Sequence, residues 1–296
     1  MTLSGVLAPL PTPFDDQDRL DLERLRPALA RWLETPLAGF VVLGTNGEAG
    51  LLGEDESDRV VECARSVIPA GRPLVAGAGR ESTAATIQAT RRAAALGADA
   101  VLVRTPSFFK SQMNGDAFFR HYMAVADAAP IPVLLYNFTA ATGVTLTPAT
   151  VARLARHPNI VGIKESGSDI AQLSDLVTTT PAQFSVLAGS ASTFFAALCT
   201  GVSGGILALA ALLPDACVRL FELVRDGHYD QARALQERLL PVARLISSTY
   251  GVPGLKAALA ISGYDVGKPR APLAALDAAG AAVIREALAA FEEVTA

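Results

Sequence analysis

A lysine ends the apolar run Ile160-Val-Gly-Ile-Lys164, with Glu165 and Ser166 directly behind it. A short run rich in β-branched residues reads as a strand buried on both faces, so its last residue emerges at the strand's end. Desolvation there penalises the ammonium form. The neutral amine that results is a nucleophile toward a ketone, and the iminium it forms acts as an electron sink. A lysine in this place can equally carry its charge out to water on its aliphatic stem, and the residue alone does not choose between the two. Tyr136 ends the preceding apolar run, 28 residues earlier. A phenol can relay protons among an amine, a carbinolamine and a substrate hydroxyl, although a core tyrosine with a satisfied hydroxyl would read the same way. The third feature is Gly44-Thr-Asn-Gly-Glu-Ala-Gly50. Its glycines allow tight turns, and consecutive amides with the Thr45 hydroxyl could cradle a carboxylate. No Gly-Lys-Ser/Thr follows it, so it is not a P-loop, and Gly77-Ala-Gly-Arg80 lacks the third glycine of a dinucleotide fingerprint.

These residues belong to a regular alternation. Apolar runs at 5–10, 39–43, 74–78, 100–104, 133–136, 160–164, 185–188 and 204–207 are bounded by Gly, Pro or Asn. Between them lie helical patterns at 21–34, 55–67, 82–96, 115–128, 147–155, 170–180, 192–200 and 214–225, several opened by a capping residue such as Ser82, Thr147 or Ser192. Eight strand–helix units in succession favour a closed (β/α)8 TIM barrel, with an open eight-stranded sheet as the alternative that periodicity leaves standing. Past residue 225 the strand signals stop. Helices are expected at 229–249, 254–261 and 277–293, with Gly251, Pro253 and residues 267–272 as breaks. The expected organisation is a catalytic barrel over 1–225 and a C-terminal helical appendage over 226–296.

Composition narrows the function. The 296 residues are 51% apolar and 18% charged, with a formal charge of −4. There is no dense Lys/Arg stripe, so nucleic acid is not an expected partner. No apolar run reaches the ~18–20 residues that span a bilayer, and residues 1–14 carry three prolines and no basic residue, unlike a signal peptide. The expected location is cytoplasmic. Cys63, Cys199 and Cys217 show no CxxC spacing and are expected to be buried thiols. His121, His157 and His228 lie one per segment, so no metal site is expected.

Taken jointly, Gly-Thr-Asn-Gly-Glu, Tyr-Asn and Gly-Ile-Lys-Glu-Ser, falling after the second, fifth and sixth runs, resemble the signatures of the dihydrodipicolinate synthase/N-acetylneuraminate lyase family of class I aldolases. The likeness extends from Leu10-Pro-Thr-Pro-Phe14 to Lys268-Pro-Arg-Ala-Pro272. It implies a barrel with C-terminal helices, a homotetramer built as a dimer of dimers, a small 2-oxo acid as substrate, and no cofactor. It also implies Lys164 as the Schiff-base lysine and Tyr136 as the catalytic tyrosine. Thr45 then takes part in catalysis and, with Asn46, holds the pyruvate carboxylate, helped by the backbone near Gly189 and Ile206.

The chain departs from the family's synthases in three places. Ala141 stands where they place an arginine for the second substrate's carboxylate, Thr139 where the family often has proline, and Thr105-Pro-Ser-Phe-Phe109 where they have Thr-Pro-Tyr-Tyr. The segments 44–47, 157–167, 186–190 and 250–256 are most similar to the family's 4-hydroxy-2-oxoglutarate aldolases. That resemblance implies cleavage of a 4-hydroxy-2-oxo acid to pyruvate and an aldehyde such as glyoxylate, with Ser166 and Asn46 on the aldehyde side. Alternatives are an aldolase or dehydratase of 2-keto-3-deoxy sugar acids, then a dihydrodipicolinate synthase. A non-catalytic keto-acid-binding paralogue is the reading from outside the enzymes.

Overall fold

The computed structural model of the chain describes residues 2–293, and within them the short apolar runs form parallel strands. They are β1 (Gly5–Pro9), β2 (Gly39–Val42), β3 (Leu74–Gly77), β4 (Ala100–Arg104), β5 (Val133–Asn137), β6 (Ile160–Glu165), β7 (Ser185–Ala188) and β8 (Gly204–Ile206). Each pairs with the next and β8 pairs back onto β1, so the sheet is a closed barrel and the open alternative is excluded. Closure is tight at the seam. Gly204 lies opposite Gly5 with φ 150, and a Cβ at Gly204 would collide with the Gly5 carbonyl.

The connecting helices are α1 (Leu22–Leu33), α2 (Glu54–Val67), α3 (Thr83–Ala95), α4 (Gly115–Ala128), α5 (Thr139–Thr142), α6 (Pro148–Leu154), α7 (Ile170–Thr179), α8 (Phe194–Cys199), α9 (Ala208–Leu212) and α10 (Pro214–Arg225). After them come α11 (Tyr229–Arg244), a π-helical turn (Leu245–Thr249), α12 (Gly251–Ile261) and α13 (Ala278–Glu293). One apolar cluster fills the barrel interior, with Leu7, Val41, Val75, Leu102, Leu134, Leu187 and Ile206 among its members. A larger one packs the strands' outer faces against the helices. Both faces of each strand are thereby buried, which is why the runs are continuous rather than alternating.

Several local expectations are corrected. Ser82 and Thr147 do cap their helices, accepting from the Ala85 and Thr150 amides. Ser192 instead lies inside a 3-10 turn that makes no cap bond. Cys199 is exposed, because it sits in the last turn of the short α8, whose buried face is carried by Phe194, Ala197 and Leu198. The expected helix over 229–249 is α-helical only to Arg244 and then widens into the π turn. Gly251 and Pro253 do not break the chain but open α12, where a proline's missing amide has no intrahelical acceptor to lose. Helices α5 and α9, of four and five residues, were too short to show a period.

A buried polar tether joins the C-terminal helices to the loop after β2. Glu48, in that loop, pairs with Lys256 of α12 at 2.6 Å, with both side chains almost fully buried. Lys256 Nζ also donates to the Thr12 and Lys268 carbonyls, at 2.7 and 2.8 Å. Burial pushes the Lys256 ammonium below the usual lysine range, against the pull of Glu48. Beside it, Arg270 donates its backbone amide to Glu48 and its guanidinium to Glu56 through two bonds of 2.6 and 2.7 Å. Removing one partner of a buried pair strands the other's charge. Lys256→Met is therefore expected to destabilise the protein by about 3–5 kcal/mol in denaturant unfolding. A change near 1 kcal/mol or less would show that the tether contributes nothing beyond an ordinary surface pair.

Candidate active site

Strands β5 and β6 pair with Tyr136 opposite Lys164 and Asn137 opposite Glu165. Because side chains alternate across a strand, the first pair and the second face opposite sides of the sheet. Tyr136 and Lys164 face the barrel's cavity. Lys164 Nζ lies 4.5 Å from the centroid of the Tyr136 ring, and each residue is 5% exposed. The Tyr136 hydroxyl is 3.0 Å from the Thr45 hydroxyl, and either can donate. Among the described residues Lys164 Nζ has no hydrogen-bond or ion-pair partner. Its amine is thus open to the cavity, whereas the other deeply buried lysine, Lys256, is held by the Glu48 carboxylate.

A cavity of about 710 Å³ opens over Lys164. Thr45, Asn46, Tyr136, Ser166 and Gly189 line it, so the structure brings these expected residues to one place. Asn46 also donates its side-chain amide to the Pro9 carbonyl at the end of β1, 3.3 Å away. Ile206 is placed differently. It is fully buried in the barrel-interior cluster that also contains Tyr136, and it does not line this cavity. Ala141, carried on α5, lines the cavity and offers neither charge nor donor. A second cavity of about 610 Å³ shares Thr45 and Tyr136 and adds Arg80, Glu81 and Arg104. Its cations are already matched: Arg80 pairs with Glu54 and Arg104 with Glu81, each at 2.8 Å. Phe108 and Phe109 stand 77% and 68% exposed on the loop after β4, a loop held by Glu81 through the Ser107 and Phe108 amides.

The loop that carries Thr45 is conformationally demanding. Leu43 and Glu48 both take positive φ, 57 and 53, unusual for residues with side chains. Strain of this kind persists where surrounding structure over-determines it, and here the Lys256–Glu48 pair does so. Gly189 marks another close approach: a methyl there would collide with Ser166, while the Gly189 amide donates to the Glu165 carbonyl at 2.6 Å.

Glu165 and Asn137 shape the site from behind the sheet, beyond the residues expected from the sequence. The Glu165 carboxylate, 1% exposed, accepts from the Asn137 side chain at 2.6 Å, Gln172 at 2.8 Å and the Gly167 amide at 2.6 Å. Burial raises its carboxyl above the usual range, against these three donors. It fixes the end of β6 and the turn through Ser166 and Gly167 from the face opposite Lys164. A period-two reading of Lys164-Glu165 beside Tyr136-Asn137 contains this signal, since the polar neighbours of inward residues must find partners behind the sheet. Among the described residues, no group of three or more His, Cys, Asp or Glu side chains is placed to hold a metal ion.

A closed α/β barrel with a lysine, a phenol and a hydroxyl at one end of its strands defines a barrel enzyme's site. The dihydrodipicolinate synthetase family matches residues 2–290, and the chain belongs to that family of class I pyruvate-dependent aldolases. A 4-hydroxy-tetrahydrodipicolinate synthase from an Exiguobacterium strain is 36% identical over 98% of this chain and 99% of its own length. A prophage protein of the dihydrodipicolinic acid synthase family from E. coli K12, solved in complex with pyruvate, superposes with a TM-score of 0.92 at 28% identity, covering 98% of each chain. Another structural relative, described as the first monomeric dihydrodipicolinate synthase variant, has a TM-score of 0.91 at 30% identity over 97% of this chain and 96% of its own. Family membership therefore leaves the tetramer expected from the sequence unassigned.

Proposed function

We propose that the chain is a lysine Schiff-base aldolase that cleaves a 4-hydroxy-2-oxo acid, with 4-hydroxy-2-oxoglutarate as substrate, to pyruvate and glyoxylate. The observation that carries this reading is the unpaired Lys164 amine beside Tyr136, whose hydroxyl is bonded to Thr45, in one cavity. The Lys164 amine adds to the C2 ketone, and the carbinolamine loses water to give the iminium. Tyr136 gives its proton to the departing carbinolamine hydroxyl, and its phenolate, accepting from the Thr45 hydroxyl, then takes the proton of the C4 hydroxyl. The C3–C4 bond then breaks, its electron pair passes into the enamine, and the aldehyde leaves. Tyr136 passes that proton to C3, water adds to C2 and returns a proton to the Tyr136 oxygen, and the carbinolamine collapses to pyruvate and the free amine. Thr45 and Asn46, with the Gly189 backbone, are the proposed seat of the C1 carboxylate.

Two features support cleavage over condensation. Ala141 leaves the α5 wall of the cavity without a cation where the family's synthases place one for the carboxylate of aspartate semialdehyde, and the exposed Phe108 and Phe109 carry no phenol to lend to a neighbouring site. A missing charge-assisted contact costs about 1.5–3 kcal/mol. The second reading, a 4-hydroxy-tetrahydrodipicolinate synthase, is favoured by the name of the Exiguobacterium relative at 36% identity.

Tyr136→Phe removes only the hydroxyl, so kcat is expected to fall by roughly 10²–10⁴, with a much smaller change in KM. Near-normal turnover would make the tyrosine structural. The choice of reaction is tested on one enzyme preparation, measuring pyruvate release from 4-hydroxy-2-oxoglutarate beside pyruvate consumption with aspartate semialdehyde. Cleavage is expected to lead by about tenfold or more in kcat/KM, the low end of what one charge-assisted contact is worth. A faster semialdehyde reaction would replace this reading with the synthase. Turnover of a 2-keto-3-deoxy sugar acid alone would keep the lysine chemistry and change the aldehyde.

A further inference from the structure

The cavity over Lys164 has a second positive end. Arg244, the last residue of α11, lines the same cavity, is exposed, and has no hydrogen-bond or ion-pair partner for its guanidinium among the described residues. Lys164 and Arg244 are the charged residues lining this cavity; among the described residues no Asp or Glu does. The contrast with the neighbouring cavity is direct, since Arg80 and Arg104 there are each neutralised by a glutamate. A guanidinium left unpaired in the same cavity as the Lys164 amine, with no carboxylate lining it, is free to take an anion from outside the protein.

The backbone around Arg244 is built irregularly. The π-helical turn over Leu245–Thr249 begins directly after it, closed by the Tyr250 amide bonding to the Leu245 carbonyl at 3.0 Å. Such widened turns interrupt a helix at a cost in hydrogen-bond geometry and concentrate at functional sites. Here the turn brings Ser247 and Ser248 to the cavity wall beside Arg244, with Ser166 and Ser190 also lining the cavity. Ser247 and Ser248 give their protons to the Ala243 and Arg244 carbonyls, so the donors this wall leaves for an anionic tail are the Arg244 guanidinium and the Ser166 and Ser190 hydroxyls.

We infer that Arg244 binds the carboxylate at the far end of the substrate and makes the enzyme selective for dicarboxylic 4-hydroxy-2-oxo acids. The inference rests on the Lys164 reading given above; Arg244 enters the cavity from α11, whereas Ala141 enters it from α5, so this cation does not stand in the place of the synthases' arginine. With C1 held near Thr45 and C2 joined to Lys164, the tail carboxylate is drawn to Arg244, which fixes the C3–C4 bond between two anchored ends.

The test compares pyruvate release from 4-hydroxy-2-oxoglutarate with release from 4-hydroxy-2-oxopentanoate, whose tail carries no charge, in wild type, Arg244→Gln and Arg244→Lys. Wild type is expected to prefer the dicarboxylate by about 10- to 150-fold in kcat/KM, the range of one charge-assisted contact. Arg244→Gln should bring the two substrates toward parity by slowing the dicarboxylate alone, and Arg244→Lys should recover part of the preference. A preference that survives in Arg244→Gln, or a loss that falls equally on both substrates, overturns the assignment while leaving the lysine chemistry intact. Wild-type enzyme that releases pyruvate from neither substrate removes the reading beneath it as well.

Discussion

The parallel ladder between β5 and β6 sets Tyr136 opposite Lys164, and the period of two along each strand does the rest. One pair faces the cavity, where a phenol and an amine share space with the Thr45 hydroxyl. The other pair, Asn137 and Glu165, is bonded to each other behind the sheet and to Gln172 on α7. A slip of β6 by one residue in this register would set Glu165 opposite Tyr136 and turn Lys164 to the other face. It would place a carboxylate in the cavity and a lysine among the helices, so the chemistry proposed for the site depends on a pairing that closure of the barrel holds in place.

The barrel does not shape the site alone. Thr45 and Asn46 lie on a loop flanked by Leu43 and Glu48 in positive φ, a conformation that short glycine-rich segments do not hold unaided. The hold comes from residues far along the chain, as Lys256 closes on Glu48 and Arg270 on Glu48 and Glu56. The π turn after α11 contributes from the other side, carrying Arg244, Ser247 and Ser248 to the cavity wall. The helices after the barrel thus reach the site twice, once to fix a loop and once to complete its lining.

Much of this was legible from residue order. Each strand was bounded to within a residue or two, because fully buried strands leave unbroken apolar runs and barrel closure needs only that such runs recur with helices between them. Lys164, Tyr136 and Thr45 were legible because each follows such a run at the end where barrel sites form. What was not legible has a common cause. Lys256 entered only as part of the family-like segment 250–256, and Arg244 fell inside the expected helix over 229–249 without any mark, since the partner or cavity that gives each its meaning lies far away in sequence. The Ile206 side chain belongs to the barrel interior and not to the cavity lining, and strand periodicity alone does not say which inward residue of β8 ends below the cavity floor. Ser192 and Cys199 failed because the segment between β7 and β8 is split between a 3-10 turn and a short helix rather than being one regular helix.

The central claim is that Lys164, and no other lysine, forms the covalent intermediate. Among the lysines whose surroundings bear on this, Lys256 is buried and paired with Glu48, Lys268 lies near Asp18, and Lys164 alone faces the cavity with its amine unpaired among the described residues. Borohydride reduction in the presence of pyruvate, followed by peptide mass mapping, tests it most directly. The account predicts irreversible inactivation with one pyruvate-derived adduct on Lys164. An adduct on Lys110, Lys256 or Lys268 instead, or full activity after reduction, would contradict it.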